Sequence, residues 1–222
     1  ADVILHDRLV DPSILELARR EATMIEVGKT GFGQAMAQED IHQLMLAHVE
    51  QGAQVVRLKS GDPTVFGRLD EELEALAAHD VSYSIVPGIT AASAAAAAVG
   101  RSLTRRGRNA QFRLITGHDM AGYAEQDWRA LAKPGAVAAI YMGKKAARFI
   151  QGRLLMHGAD PRTPVSIIEN SSRPEQVIRE APLNALAKAL HDLAGPAVLL
   201  YGLSPRSAAE HVFEPQEADL CL

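Results

Sequence analysis

Two α/β domains with a cleft between them is the architecture that the sequence predicts, and three features carry it. Strand-like and helix-like stretches alternate along the chain. Four consecutive β–α units fill the first half, which implies a parallel sheet with crossover helices. The alternation then lapses over "GRSLTRRGRNA", a polar, basic stretch with two glycines, and resumes beyond it. A boundary in that stretch divides the chain into domains at 1–103 and 104–222. At 222 residues, with 47% apolar composition, the chain can supply a core for two small domains.

The elements follow in order. "DVILH" reads as a strand, and Asp11-Pro12 supplies an N-cap and a first-turn proline for a helix through "SILELARR". "TMIEVG" is a second strand, followed by a helix from about Gln38 to Glu50. "QVVRL" is a third strand, leading through Ser60-Gly61-Asp62-Pro63 to a helix over "DEELEALAAH". "SYSIV" is a fourth strand, which Pro87-Gly88 turns into an alanine-rich helix over 91–99. In the second half, "QFRLIT", "AVAAIYM", "PVSIIEN", "EQVIREA" and "PAVLLYG" read as strands, with helices near 145–157 and 182–193. "NSSRPEQ" is too short for a crossover helix, so it joins an antiparallel pair.

Composition excludes several classes. A formal net charge of -4 offers no field for nucleic acid or an anionic membrane, so neither is an expected partner. The single cysteine, Cys221, permits no disulfide framework and suits a reducing cytoplasm. The most apolar segment, Ile85 to Val99, is broken by Pro87-Gly88 and is no membrane span. The chain opens directly in "ADVILHD", without an initiator Met, as if a segment preceded it. No phosphate-binding glycine loop, dinucleotide fingerprint or nucleophile elbow is present, and the eight histidines show no metal-ligand spacing.

The positive signal is positional. In a parallel sheet the carboxyl ends of the strands share one rim, where ligands bind. The turns there carry His6-Asp7-Arg8, Gly28-Lys29, Ser60-Gly61-Asp62 and Pro87-Gly88-Ile89-Thr90-Ala91. The second half adds Thr116-Gly117-His118 and Tyr141-Met142-Gly143. Each turn alone is ordinary. Together they place a carboxylate, an ammonium, a small-residue turn and a hydroxyl on one edge, which favours a ligand cleft.

These stretches also carry a resemblance. "ADVILHDRLV", "VGK", "AQEDI", "VVRLKSGDPTVFGR", "VPGITAASAA", "LTRRG", "LITGH", "YMG" and "PVSIIEN" span nearly the whole chain. In order and spacing they resemble the uroporphyrinogen-III C-methyltransferases, the precorrin-2-forming branch of the tetrapyrrole methylases, with their class III methyltransferase fold. The resemblance implies S-adenosyl-L-methionine as methyl donor, S-adenosyl-L-homocysteine as product, a tetrapyrrole substrate feeding sirohaem or cobalamin synthesis, and a homodimer. Residue by residue, it implies donor contacts from Ser60, Gly61, Asp62, Val65, Thr90, Ala91, Met142 and Ser171. Asp7 matches the family's proton acceptor and Lys29 its proton donor. Arg8, Arg68, Arg105 and Arg106 are expected to meet the substrate's carboxylates, since guanidinium groups bind carboxylates bidentately.

The chain departs from the family pattern in four places. Ser60 stands where a glycine is usual, "GRLDEE" replaces "GRGGEE", and "TGFGQAMAQ" follows Lys29 in place of a loop carrying arginine and histidine. The family's opening strand and G-x-G-P-G-D-P loop have no counterpart here. Two other readings fit the same pattern: a methyltransferase for a later corrinoid intermediate, and a non-catalytic relative of the fold.

Overall fold

The computed structural model describes residues 1–28 and 36–206. It divides into two compact units, Ala1–Thr90 and Ala91–Leu222. The division falls at the start of the alanine-rich helix rather than after residue 103. Ala92, Ala95, Ala96 and Val99 pack in one buried cluster with Val137, Ala139, Val198 and Leu200, which ties that helix to the second unit.

In the first unit, β1 (Val3–His6) leads to α1 (Pro12–Leu15), then β2 (Thr23–Glu26), α2 (Gln38–Glu50), β3 (Val55–Leu58) and α3 (Leu69–Ala77). Asp11 caps α1 as its sequence suggests, Oδ1 accepting from Ser13 N at 3.0 Å. The helix stops after four residues, well short of the expected "SILELARR". None of its residues is buried, and Leu17 just beyond it is exposed, so packing adds nothing to extend the turn. The sheet order is β2-β1-β3, all parallel. Val3, Leu5, Val27, Ile41 and Met45 form its core.

The fourth strand expected over "SYSIV" is absent. Residues 81–90 take no helix or strand, and Tyr83, Ile85, Val86 and Ile89 are exposed. Among the described residues β3 pairs only with β1, so the β-branched run lacks the ladder partner a strand requires.

The second unit begins with α4 (Ala91–Ala98). It continues through β4 (Arg113–Thr116), the small hairpin β5 (His118–Asp119) and β6 (Gly122–Tyr123), α5 (Trp128–Leu131), β7 (Ala138–Tyr141) and α6 (Gly143–Met156). It closes with β8 (Pro164–Glu169), β9 (Val177–Pro182), a 3-10 turn (Leu183–Ala185), α7 (Leu186–Ala189) and β10 (Ala197–Tyr201). The one helix expected over 182–193 is thus two short pieces. Its sheet runs β4-β7-β10-β8-β9, with β4 and β7 parallel and β8 and β9 an antiparallel pair, as the short "NSSRPEQ" connection requires. One face packs on α6 and α7 through Ile140, Ile150, Leu154, Leu186 and Leu199, and the other on α4.

Candidate functional site

The parallel registers bring the first unit's strand ends into one row. His6 lies opposite Glu26 on one side and Leu58 on the other. The residues that follow, Asp7, Val27-Gly28 and Lys59-Ser60, therefore leave the sheet on the same rim. Two close approaches tighten it. A Cβ on Gly28 would lie 2.6 Å from Arg8 N and Cβ, so the second turn passes directly over the first. A Cβ on Gly88 would overlap Gly61 O, so Pro87-Gly88 lies against the Ser60-Gly61-Asp62 turn. Gly28 thus meets the first turn and Gly88 meets the third, although Pro87-Gly88 follows no strand. Lys29 lies outside the described residues.

Asp7 is half-buried and its Oδ1 accepts from Arg57 Nη2 at 2.5 Å. Oδ2 has no partner among the described residues. Arg57 is fixed in turn: Nε donates to Glu72 Oε1 at 3.0 Å and Nη1 to the carbonyls of Leu5 and Leu58 at 3.4 and 3.2 Å. Lys59 Nζ meets the same Glu72 oxygen at 2.6 Å, and burial pushes its ammonium below lysine's ordinary value against that ion pair. Sequence reading missed Arg57, Lys59 and Glu72. Their signal was two cations at i and i+2 of a strand, hence on one face, followed by an acidic helix.

The turn after β3 is built for close approach. Gly61 adopts φ 77°, open to glycine at little cost. Asp62 Oδ1 caps its own turn, accepting from Thr64 Oγ1 at 2.6 Å and Thr64 N at 2.9 Å, bonds that hold the carboxyl below its usual range. Oδ2 has no partner among the described residues. Val65 N closes the turn on Asp62 O at 3.1 Å. Phe66 and Arg68 follow with φ of 51° and 54°, rare for side-chain-bearing residues and characteristic of ligand sites. Arg68 is drawn onto Glu71 through Nε at 2.8 Å and Nη2 at 2.5 Å, whereas Arg8 is exposed with no ion pair among the described residues.

In the second unit β7 and β8 both run antiparallel to β10, and hence in the same direction. Met142 and Ser171 therefore follow their strands at the same edge of the sheet. Met142 has φ 52°, is half exposed, and its carbonyl accepts from His118 Nδ1 at 3.1 Å. Ser171 sits between Asn170 and Ser172, both with positive φ, and its Oγ is buried without a hydrogen-bond partner among the described residues. Such an orphaned hydroxyl suits a polar ligand. Ala91 opens α4, where Ala92 N donates to Tyr141 Oη at 2.9 Å; Thr90 is half-buried beside it.

The basic stretch is an ordered turn rather than a slack linker. Arg105 pairs with Asn109, and Arg108 donates to the Ser102 and Leu103 carbonyls at 2.7 and 3.3 Å. Arg101 is spent on Ser204 O at 2.6 Å. Arg105 and Arg106 are exposed, and their side chains have no partner among the described residues. Burial, then Arg105 and Arg101, push the Arg108 guanidinium below its ordinary value, so the cations crowd one another. A hollow of about 520 Å³ is lined by residues 104–110. Among the described residues no helix is long and apolar enough to cross a membrane.

Residues 1–187 match the family described as Tetrapyrrole (Corrin/Porphyrin) Methylases. The chain is 45% identical over 214 residues to a siroheme synthase of Xylella fastidiosa (strain M12), covering 96% of this chain and 45% of that protein. A siroheme synthase of Edwardsiella ictaluri (strain 93-146) is 44% identical, with 91% and 44% covered. The chain thus spans less than half the length of these relatives. Uroporphyrin-III C-methyltransferase of Thermus thermophilus, solved with S-adenosyl homocysteine, superposes with a TM-score of 0.76 at 36% identity, covering 91% of this chain and 85% of that one. A cobalt precorrin-4 methyltransferase superposes at 0.80 with 24% identity, a likeness of fold. On sequence and on fold alike, the chain belongs to the tetrapyrrole (corrin/porphyrin) methylase family.

Proposed function

We propose that the protein is a homodimeric C-methyltransferase that converts uroporphyrinogen III to precorrin-2. The observation that carries this reading is Asp7, a carboxylate with one oxygen clamped by Arg57 and the other without a partner among the described residues, on the same rim as the Ser60-Gly61-Asp62 turn. The compound bound in the solved Thermus thermophilus relative, S-adenosyl homocysteine, gives the donor its chemical class.

The residues fit such a donor. Gly61 and Gly88 leave no side chain over the turn, Asp62 Oδ2 can accept from a hydroxyl, and Ser171 Oγ lacks a partner among the described residues. Val65, Thr90, Ala91 and Met142 complete the proposed donor set. When bound, S-adenosylmethionine supplies a sulfonium-activated methyl group. The acceptor carbon of a reduced tetrapyrrole is already electron-rich, so the protein's task is orientation and exclusion of water. Carbon–carbon bond formation leaves the ring cationic, and the proton it must lose passes to Asp7 Oδ2. Lys29 is the proposed proton donor.

Arg8, Arg105 and Arg106 are the proposed partners of the substrate's carboxylates, being exposed and without counter-ions among the described residues. Arg68 joins them only by giving up Glu71. Incubating the protein with uroporphyrinogen III and S-adenosylmethionine and weighing the product tests the reading. Two added methyl groups are expected. Turnover of a later corrinoid alone would replace the substrate assignment, and no turnover of either would make the protein a binding relative.

A further inference from the structure

The only buried residue of α3 is not apolar but Glu72, 3% exposed. Three nitrogens from two other elements converge on its Oε1: Arg57 Nε at 3.0 Å, Lys59 Nζ at 2.6 Å and Gln38 Nε2 at 3.3 Å. Arg57 and Lys59, two residues apart at the end of β3, present their cations on the same face. Asp7 and Glu72 balance them, so the cluster is neutral only while both carboxylates are present.

Each cation leads to a different part of the rim. Arg57 spends Nε on Glu72 and Nη2 on Asp7, so Glu72 fixes the plane of the guanidinium that aims Asp7. Lys59 runs beneath the turn that follows Asp62. A Cβ on Gly67 would overlap Pro63 O and come within 3.3 Å of Lys59 Cε, so the lysine stem occupies the space under the Pro63–Gly67 backbone. Holding Lys59 by its ammonium therefore holds that turn from below.

We propose that Glu72 is a positioning residue acting in two directions: it orients Asp7 through Arg57 and supports the donor turn through Lys59. The inference rests on the roles given above to Asp7 and that turn. A buried ion cluster serving stability alone predicts a lower melting temperature and nothing more specific. At saturating donor, positioning predicts that Glu72 matters to the rate only while Asp7 can act.

The test is a double-mutant cycle in single-turnover methylation of uroporphyrinogen III, with Asp7→Asn, Glu72→Gln and the pair, alongside calorimetric titration of each with S-adenosylhomocysteine. Asp7→Asn is expected to slow transfer roughly 10²- to 10⁴-fold, and Glu72→Gln on the order of 10²-fold. The pair should be within about threefold of the slower single variant, far from the product of the two losses. Glu72→Gln, and not Asp7→Asn, should weaken the S-adenosylhomocysteine titration. Multiplying losses in the cycle overturn the Asp7 arm, and unchanged titration of Glu72→Gln overturns the Lys59 arm. If Asp7→Asn alone keeps the wild-type rate, the base assignment itself is wrong and the Asp7 arm falls with it, while the titration still decides the Lys59 arm. Should Glu72→Gln not fold, Arg57→Lys carries the rate comparison, because one ammonium cannot hold Glu72 and Asp7 at once, and Lys59→Met carries the titration.

Discussion

A methyl group placed on Gly88 would overlap the carbonyl oxygen of Gly61. The two glycines belong to different rim turns, and their contact makes the backbone of one the floor of the other. Gly88→Ala must push the Ser60-Gly61-Asp62 turn aside, since the clash is with backbone and not with a movable side-chain tip. The expected outcome is a folded protein whose affinity for S-adenosylhomocysteine falls at least tenfold, a loss of about 1.4 kcal/mol. Isothermal titration with a parallel circular dichroism spectrum checks it. Wild-type affinity in the variant would show that the turn can shift without cost to binding.

Met142 holds φ 52° at the start of α6. A left-handed non-glycine residue costs roughly 1–2 kcal/mol, and such strain is retained at sites where the side chain is needed. Met142→Gly is therefore expected to melt no lower than wild type, gaining up to about 1 kcal/mol, while donor affinity drops. A lower melting temperature with unchanged affinity would make Met142 a packing residue only.

Arg105 and Arg106 stand on an ordered turn whose other arginines, Arg101 and Arg108, are committed to backbone carbonyls. An exposed ion pair contributes only about 0–1 kcal/mol, so one substitution should be nearly silent. Changing both to alanine is expected to raise KM for the tetrapyrrole and flatten its dependence on salt, with donor binding intact. An unchanged KM across a salt series would place the substrate's carboxylates elsewhere.

Glu125 links two helices, accepting from Trp128 Nε1 at 2.8 Å and Arg153 Nη2 at 2.7 Å. These bonds, Trp128 first, hold its carboxyl below the ordinary glutamate value of about 4.3. A depressed carboxyl adds stability that is present above that value and lost as pH falls through the folded one. Glu125→Gln should accordingly melt below wild type at pH 7, and the gap should close below about pH 4. A gap constant from pH 7 to pH 3 would contradict the assignment.

Much of the fold was legible because short apolar runs end in turn residues, as Ser60-Gly61-Asp62-Pro63 ends "VVRLK" and Met142-Gly143 ends "AVAAIY". What could not be read depended on partners distant in sequence. "SYSIV" has the composition of a strand but finds no ladder partner among the described residues, and the alanine-rich helix shows no preference for either unit until it packs on Val137 and Val198. At the rim, the turns after β1, β2 and β3 were legible from position, whereas Pro87-Gly88 follows no strand. The Glu72 cluster was not, because an acidic stretch such as "LDEELE" looks solvated until the strand cations are seen to reach one of its carboxylates.

The division of labour on the first unit's rim is tested most directly by measuring two variants in both assays. Asp62→Ala and Asp7→Asn are each titrated with S-adenosylmethionine and each followed through a single turnover with uroporphyrinogen III. Asp62→Ala is expected to lose donor affinity, because it removes both the cap on Thr64 and the free Oδ2. Asp7→Asn is expected to keep donor affinity and lose roughly 10²- to 10⁴-fold in rate, the usual cost of a general base. Equal losses of affinity in the two variants, or a wild-type turnover rate for Asp7→Asn, would contradict the assignment of base and donor turn to separate residues on one edge.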